Sequence, residues 1–507
     1  MVDRLVTEQD PKRITGKVFL VGAGPGDPGL LTVKAAALLR QAEVVVLDRL
    51  VDTGILELIP PTAERVDVGK NAGSHPVPQE RINQILVELA RSGRQVIRLK
   101  GGDSFLFGRG GEELEALIAN GIPFEVVPGV TSALAVPAYA GIPVTHRDYC
   151  SSVHMITGHK RSDQPLDLDY DALVRLNGTL VFLMSLATVG EIMDGLLNAG
   201  MPLDMPSAVI EHGTRPEQRK IVATIATLAA QVAELNFQSP ALIVVGRVCS
   251  LSDKMDWFSQ LPLKGVRILV TRPQAQAAAF VSRLRELGAA VTPIPSIEIR
   301  NLALDLPNLS HYNTLVLTSV TGVHSFFNHL MAIGLDSRSV AGLKIAVIGS
   351  ETAKALQTYG LKADFVPTIY NGGDLADQLL AQDQFEPGRL LIARARDSDP
   401  QLTDRLRDAG IDFTEISLYE TVRIAHVPID PGDFDYVTFT SASCVTSFAQ
   451  GVVAPYDFSR VTAVCIGQQT AKKAASSGMK IRISDQATTA SMAELLCALV
   501  NEASQGV

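Results

Sequence analysis

The first third of the chain alternates short apolar runs with stretches whose apolar residues recur at helical spacing. The predicted strands cover residues 17–21, 44–47, 96–99 and 124–127, and the predicted helices cover 31–41 and 112–119. Short continuous apolar runs are typical of strands that are buried on both faces of a parallel sheet. The alternation therefore predicts an α/β fold.

A glycine-rich turn, LKGGDSFLFGRGG at residues 99–111, joins one of these strands to the next helix. In open α/β sheets, ligands bind at the carboxyl ends of the strands, and glycine lets the backbone approach a ligand closely. Gly101, Gly102 and Asp103 are expected to place bare amides and one carboxylate against a small molecule. The alternative is a tight turn in which Asp103 only caps the helix.

A second turn, VGAGPGDPGLLT at residues 21–32, follows the first strand. It is not a dinucleotide-binding fingerprint, because Asp27 stands where the third glycine belongs and Pro25 stiffens the turn. A phosphate-binding loop is excluded as well, because Gly69 and Lys70 are followed by Asn71. Residues 21–32 are expected to form a rigid turn before a helix.

Polar side chains follow other strands at the same predicted edge. Asp48 ends the run 44–47, and Lys70 lies on a loop that also carries His75. Thr131 and Ser132 stand where a helix begins and offer hydroxyls and free amides. A capping aspartate and a solvated lysine are the alternatives that spacing alone favours.

Residues 153–250 are expected to form a second α/β lobe. Its predicted strands are 153–157, 179–184, 207–211 and 241–245. Met184 and Gly213 end or follow two of these strands and are expected to face a cleft between the lobes. The histidines in this region lack ligand spacing, so no metal site is expected.

Composition limits the class of protein. A chain of 507 residues with 46% hydrophobic and 20% charged residues is expected to be a soluble protein of about three or four domains. No apolar run is long enough to cross a membrane, and the charged start is unlike a signal peptide. The net charge of −9 argues against a nucleic-acid partner. Five scattered cysteines are typical of buried thiols in a reducing cytoplasm.

Together, the motifs of the first half resemble those of the uroporphyrinogen-III C-methyltransferases of the tetrapyrrole methylase family, over residues 15–258. They are VGAGPGDPGLLT, the GK…H…Q loop, RLKGGDSFLFGRGGEE, VVPGVTSALAVPAYAGIPVTHR and TGH at 157–159. The resemblance implies a homodimer in which lobes of about 15–134 and 135–258 hold S-adenosylmethionine between them.

The same resemblance implies roles for individual residues. The implied cofactor contacts are Pro25, Gly101, Gly102, Asp103, Leu106, Thr131, Ser132, Met184 and Gly213. Asp48 matches the proton acceptor of the family and Lys70 its proton donor. The implied substrate carries eight carboxylates, which Arg98 and other basic residues are candidates to neutralise.

Three residues depart from the family pattern. Ser104 replaces the usual proline, which is expected to loosen the cofactor loop. Asn71 replaces the usual arginine, which removes a cation from the substrate side. Leu47 stands where tyrosine is common.

Residues 266–507 contain an internal duplication of about 120 residues. Arg272 and Arg394 end matching strands 122 positions apart, as do Ser319 and Ser441. Thr352 and Thr470 match at a spacing of 118 positions. Each half alternates strands and helices, which predicts two parallel-sheet domains whose helix starts suit carboxylates. Ordinary helix capping is the alternative for any one of these starts.

The second half resembles uroporphyrinogen-III synthase by VTRP, the paired TS…V..F and IG..TA elements, and LYET. The resemblance implies a linker at 259–265 and two flavodoxin-like domains joined by a β ladder, of about 266–300 with 420–507, and of about 301–419. It implies a cleft lined by Arg272, Ser319, Thr352, Arg394, Tyr419, Ser441 and Thr470. The implied reaction closes hydroxymethylbilane with inversion of ring D and loss of water, and Tyr419 assists departure of the hydroxyl.

The sequence thus supports a bifunctional enzyme hypothesis, a lyase joined to a methyltransferase. The second half makes uroporphyrinogen III, and the first half methylates it twice to precorrin-2, on the sirohaem or cobalamin branch, releasing S-adenosylhomocysteine. Two alternatives remain: an inactive synthase half, or a tetrapyrrole-binding regulatory module. No dinucleotide-binding domain precedes residue 15, so no dehydrogenase or ferrochelatase step is expected.

Overall fold

The computed structural model describes residues 16–69, 77–158, 166–369, 371–381, 389–424, 429–452 and 456–505. Its internal contacts divide the chain into two units. The first comprises Met1–Val266 with Arg285–Ala290, and the second comprises Arg267–Leu284 with Val291–Val507.

The first lobe of the first unit is built on a parallel sheet. Its strands are β1 (Lys17–Gly22), β2 (Val44–Leu47), β3 (Glu64–Asp67), β4 (Gln95–Lys100) and β5 (Phe124–Val127), and its helices are α1 (Val33–Arg40), α2 (Thr53–Leu56), α3 (Gln79–Arg91) and α4 (Gly110–Ala119). The strand order is β3-β2-β4-β1-β5, with every pair parallel. Val21 packs into the core on one face of β1 and Leu20 into the core on the other. The predicted parallel sheet is confirmed.

The second lobe contains a mixed sheet. Its strands are β6 (Val153–Thr157), β7 (Thr179–Leu183), β8 (Pro206–Glu211), β9 (Arg219–Thr224) and β10 (Ala241–Val245), and its helices are α5 (Ser132–Tyr139), α6 (Tyr170–Leu176), α7 (Val189–Asn198), α8 (Leu228–Glu234) and α9 (Ser252–Met255). The order is β6-β7-β10-β8-β9, and β10 runs antiparallel to both neighbours. Ala133 and Val136 of α5 pack into the core of this lobe. The expected lobe boundary at 134/135 therefore falls inside a helix that belongs to the second lobe.

Residues 259–265, expected as a linker, pack against the first unit. The side chain of Leu263 is fully buried. The ammonium group of Lys264 donates to the carbonyl oxygens of Pro216 and, at 3.1 Å, of Gln218. The segment is therefore held by the fold of the first unit.

The second unit contains two more sheets. Its strands are β11 (Arg267–Val270), β12 (Ala290–Pro293), β13 (Ile297–Asn301), β14 (Thr314–Leu317), β15 (Lys344–Val347), β16 (Leu390–Ala395), β17 (Phe413–Arg423), β18 (Tyr436–Phe439), β19 (Thr462–Cys465) and β20 (Lys480–Ile483). Its helices are α10 (Gln274–Glu286), α11 (Val320–Ala332), α12 (Ser350–Gln357), α13 (Gly372–Leu380), α14 (Gln401–Asp408), α15 (Ala442–Gly451), α16 (Gln468–Ser476) and α17 (Thr489–Gln505).

The duplication is visible in the order of the strands. One sheet runs β12-β11-β18-β19-β20, and the other runs β13-β17-β16-β14-β15. The matched strands β11 and β16 are second and third in their sheets, each beside its partner β18 or β14. One domain is therefore built from both ends of this region, as the resemblance implies.

A β ladder carries the chain between the two domains. Strand β13 pairs antiparallel with β17 from Ile297↔Arg423 to Asn301↔Tyr419. The expected domain boundaries at 300/301 and 419/420 fall inside these two strands. The chain crosses from the first of these domains to the second before β13, and it returns after β17.

Among the helices of the described residues, none has the length and apolar character needed to cross a bilayer.

Candidate active sites

Three glycine turns converge at the carboxyl edge of the first sheet. Gly24 and Gly102 exchange backbone hydrogen bonds, at 3.1 Å from the Gly24 amide and 2.7 Å from the Gly102 amide. A Cβ on Gly22 would lie 2.5 Å from the amide nitrogen of Gly129, which is closer than real side chains approach. Gly102 has a φ of +68°, and a Cβ there would meet nothing within 4 Å. The turns therefore form a cradle of bare backbone beside open space. Pro25 and Gly101 are the chain neighbours of Gly24 and Gly102 in this cradle.

Asp103 uses its carboxylate to hold this cradle together. Oδ1 accepts from the amides of Phe105, at 2.9 Å, and Leu106, at 3.1 Å, while Oδ2 accepts from Gly129 at 3.1 Å. Both oxygens therefore bind backbone. In this geometry, Asp103 organises two of the turns and presents their remaining amides.

The other expected cofactor contacts lie at the edges of both lobes. Thr131 caps α5 by accepting from the Ala133 amide at 3.3 Å, and Ser132 is the first residue of that helix. Met184 follows β7 with a φ of +54° and is half exposed. Gly213 follows β8 and touches Val136, so that any side chain at 213 would clash with α5. Leu106 packs against the core of the second lobe.

Asp27 ties the two lobes together, a role that sequence reasoning missed. Its amide donates to Oγ1 of Thr214 at 3.1 Å, and its Oδ2 accepts from the hydroxyl of Tyr139 at 2.6 Å. Its Oδ1 accepts from Gly29 at 2.7 Å. Burial, reinforced by the hydrogen bond to Asp27, raises the pKa of Tyr139 far above its usual value. The residue that breaks the dinucleotide fingerprint therefore links the first turn to the second lobe.

Asp48 lies at the end of β2 beside a buried group of charges. Its Oδ1 accepts from Nη2 of Arg98 at 2.7 Å, and about a third of its side chain is exposed. Nε of Arg98 donates to Oε1 of Glu113 at 3.0 Å, and Lys100 donates to the same oxygen at 2.9 Å. Burial lowers the pKa of Lys100. Lys70, the expected proton donor, lies outside the described residues.

Arg98, which was expected to bind substrate carboxylates, is buried and paired within the chain. Its side chain is 2% exposed and is engaged by Asp48 and Glu113. Both partners are carboxylates of the chain itself, so this cation neutralises internal charge.

In the second unit, Tyr419 is buried beside the start of α11. Its hydroxyl lies 3.0 Å from Oγ of Ser319, which also accepts from the Gly322 amide at 3.0 Å. Burial raises the pKa of Tyr419, and hydrogen bonds to Ser319 and Thr321 partly oppose that shift. Tyr419 is therefore a neutral phenol held in a fixed position.

Arg272 lies in the turn after β11. Its Nε donates to Oε1 of Gln276 at 3.3 Å, and Nε2 of Gln276 donates to Oγ1 of Thr321 at 2.9 Å. Burial lowers the pKa of Arg272. These contacts join residues that follow β11 to residues that follow β14, so these two strand ends of different domains lie close together.

The matched helix starts differ in how their amides are used. Ser441 caps α15 through the Cys444 amide at 3.2 Å, as Ser319 caps α11. The N-cap residues of α12 and α16 are Gly349 and Gly467, which have no side chain to cap the helix. Thr352 and Thr470, on the third position of each helix, are buried. The two glycine-capped starts therefore keep amides available for an anion.

Arg394, which was expected to line the cleft, is buried and paired within its own domain. Strand β16 continues to Ala395, beyond the position that matches the end of β11. Arg394 is 5% exposed and donates to Glu415 at 2.6 Å, to the Asp399 carbonyl at 2.7 Å and to Thr403 at 3.2 Å. The guanidinium group is internal.

Two family models match the chain in succession. Tetrapyrrole (Corrin/Porphyrin) Methylases match residues 17–229, and Uroporphyrinogen-III synthase HemD matches residues 278–494. The "Porphyrin biosynthesis protein HemD" of Ruminiclostridium josui is 47% identical over 493 residues, which cover 95% of this chain and 97% of that protein. The chain belongs to the family in which a tetrapyrrole methylase is fused to a uroporphyrinogen-III synthase. Both resemblances in the sequence are confirmed, and a role in tetrapyrrole biosynthesis follows.

Other relatives match the methylase half. The siroheme synthase of Citrobacter koseri is 51% identical over 257 residues, which cover 50% of this chain and 55% of that protein. The chain thus spans about half the length of the siroheme synthases that it matches. Uroporphyrin-III C-methyl transferase from Thermus thermophilus, solved in complex with S-adenyl homocysteine, is 40% identical with a TM-score of 0.41, and the match covers 46% of this chain and all of that chain.

A solved structure also matches the synthase half. A mutant uroporphyrinogen III synthase from Thermus thermophilus is 19% identical with a TM-score of 0.35, and the match covers 48% of this chain and all of that chain.

Proposed function

We propose that the synthase half converts hydroxymethylbilane to uroporphyrinogen III and that the methylase half transfers two methyl groups from S-adenosylmethionine to that product, giving precorrin-2. The order follows from chemistry, since the first reaction closes the macrocycle that the second one methylates. The proposal includes a homodimer formed through the methylase half, and a cytoplasmic site of action.

The glycine cradle is the observation that carries the methyl-transfer proposal. Gly22, Gly102 and Gly129 let three turns touch, and the side of Gly102 opens onto free space. Bare amides beside open space suit the polar groups of S-adenosylmethionine, with Pro25, Leu106, Thr131, Ser132, Met184 and Gly213 as further contacts. The bound cofactor supplies an electrophilic methyl group, and the protein mainly has to hold the acceptor carbon in line with it.

We infer that Asp48 takes the proton that leaves the methylated carbon. Arg98 holds its Oδ1, and no partner for Oδ2 lies within the described part of the chain. A carboxylate held by one oxygen keeps the other free to act as a base. Lys70 is the proposed proton donor.

Tyr419 and the glycine-capped helices support the synthase proposal. Because burial raises its pKa, Tyr419 keeps its proton and can deliver it to the departing hydroxyl, which leaves as water. Ring closure releases one proton, which restores the phenol. The amides at Gly349 and Gly467, with Arg272, are placed to anchor substrate carboxylates.

The internal pairing of Arg394 favours a second candidate for this half. With one expected cation occupied by Glu415, the half has fewer groups to hold a polyanion, as a regulatory module that binds tetrapyrroles loosely would. Hydroxymethylbilane distinguishes the two candidates, because it closes without a catalyst to the uninverted isomer I. An active synthase gives mainly isomer III, while a regulatory or inactive half leaves isomer I as the product.

A further inference from the structure

A buried carboxylate, Glu113, lies behind the proposed base of the methylase half. Its side chain on α4 is fully buried, and its Oε1 accepts from Arg98 at 3.0 Å, Lys100 at 2.9 Å and Gln79 at 3.2 Å. Its Oε2 is buried without a partner among the described residues. A buried charge is costly unless it is paired, so a carboxylate in this position calls for a reason beyond packing.

Arg98 connects Glu113 to Asp48. Its Nε is held by Glu113 and its Nη2 reaches Oδ1 of Asp48 at 2.7 Å, while its third nitrogen lies 3.5 Å from the Val46 carbonyl. Arginine can pair with a carboxylate through Nε and Nη2 or through Nη1 and Nη2. Here Glu113 takes Nε and Nη1 lies near the Val46 carbonyl, so that only Nη2 reaches Asp48. Two-pronged pairing is the preferred geometry of arginine with a carboxylate, and it would occupy both oxygens of Asp48.

We propose that Glu113 is a positioning residue for methyl transfer, which holds Arg98 so that one oxygen of Asp48 stays free to accept the substrate proton. The inference rests on the proposed role of Asp48 as the base. Lys100 balances the charge of this group, because two cations, Arg98 and Lys100, face the two carboxylates of Glu113 and Asp48.

The test is a double-variant cycle in the full chain, supplied with uroporphyrinogen III and S-adenosylmethionine. Glu113→Gln keeps the size of the side chain and removes its charge. We expect kcat to fall roughly 10- to 100-fold, because Arg98 is free to pair with both oxygens of Asp48. KM and the Kd of S-adenosylmethionine should stay within about twofold, since the side chain of Glu113 is fully buried and is not a proposed contact of either ligand. Glu115→Gln, the same change on the exposed face of α4, is the matched control and should keep full activity.

Combining Glu113→Gln with Asp48→Asn shows whether Glu113 acts on kcat through Asp48. If Glu113 acts through Asp48, the double variant falls no further than Asp48→Asn alone. Full kcat in Glu113→Gln, or losses that multiply in the double variant, would overturn the inference while the role of Asp48 stands. Full activity in Asp48→Asn would instead overturn the proposed base, and the inference with it.

A second variant distinguishes a folding defect from a loss of positioning. Calorimetric binding of S-adenosylmethionine reports whether the methylase half is folded. If Glu113→Gln binds no cofactor, Glu113→Asp replaces it, because a shorter carboxylate keeps the charge but loses its reach to Arg98. A lowered kcat with normal cofactor binding supports the positioning role, and an unchanged kcat contradicts it.

Discussion

The hydroxyl of Tyr139 donates to Oδ2 of Asp27 at 2.6 Å and thereby joins α5 of the second lobe to the first glycine turn. Tyr139→Phe removes this one bond and keeps the ring that packs against Trp257 and Phe258. A hydrogen bond to a partly buried carboxylate contributes about 1–2 kcal/mol. We expect the melting temperature of the methylase half to fall by roughly 2–6 °C, and the Kd of S-adenosylmethionine to rise several-fold.

Tyr149→Phe is the control for that change. Tyr149 lies in the same lobe, and its hydroxyl makes no hydrogen bond among the described residues, so its variant should match the wild type. Equal stability and equal cofactor affinity in Tyr139→Phe would show that the bond to Asp27 does not hold the turn.

The raised pKa of Tyr139 also predicts how stability depends on pH. Its pKa in the folded protein is far above the ordinary value of 10.0 for tyrosine. The unfolded chain therefore ionises first, so the contribution of Tyr139 is complete below pH 10 and is lost as the pH rises beyond it. Denaturant unfolding from pH 8 to 11 should show a decline above pH 10 that is weaker in Tyr139→Phe. Identical slopes for the two proteins would contradict the prediction.

Asp103 offers a test of the glycine cradle. Asp103→Ala removes an acceptor for three backbone amides, and the turns of Phe105 and Gly129 lose their common anchor. We expect the Kd of S-adenosylmethionine to rise roughly tenfold or more, while uroporphyrinogen III formation is unchanged. Asp103→Asn, which keeps one of the two acceptor oxygens, should have a Kd between those of the wild type and Asp103→Ala. Unchanged affinity by calorimetry would remove Asp103 from the cofactor site.

The apolar pattern was enough to locate four of the five strands of the parallel sheet and therefore the edge at which the turns meet. It did not predict the edge strand β3, whose residues are mostly exposed. It also did not predict β9, whose residues Lys220–Thr224 are all partly buried and lack alternation. The role of Asp27 also escaped prediction, because its partners Tyr139 and Thr214 are more than a hundred residues away along the chain. Contacts between lobes leave no periodic signal in the sequence.

Arg98 and Arg394, two of the three arginines that were expected to bind substrate, show a second limit of prediction from sequence. Arg98 and Lys100 alternate within a buried strand, so both side chains face the same side, where Glu113 of α4 lies. Two cations in a buried run imply an internal carboxylate, which was a usable signal. Arg394 could not be placed in this way, because the repeat spacing aligns it with Arg272 while β16 simply continues further.

Tyr419→Phe tests the chemistry of the synthase half. The variant loses only the hydroxyl that lies 3.0 Å from Ser319, so the half should remain folded by circular dichroism. If Tyr419 delivers the proton to the departing hydroxyl, isomer III formation should slow by roughly 100-fold. Tyr436→Phe, on the first strand after the ladder, serves as the control. A full rate in Tyr419→Phe would assign the proton to another donor.

The most direct measurement of the whole account is the product formed from hydroxymethylbilane and methyl-labelled S-adenosylmethionine by the full chain. The account predicts isomer III in the absence of the cofactor, and in its presence a macrocycle that carries two labelled methyl groups. The Asp48→Asn variant should accumulate unlabelled uroporphyrinogen III and label it only slowly. Isomer I as the main product, or isomer III that never acquires label, would contradict the assignment of the synthase or the methylase half respectively.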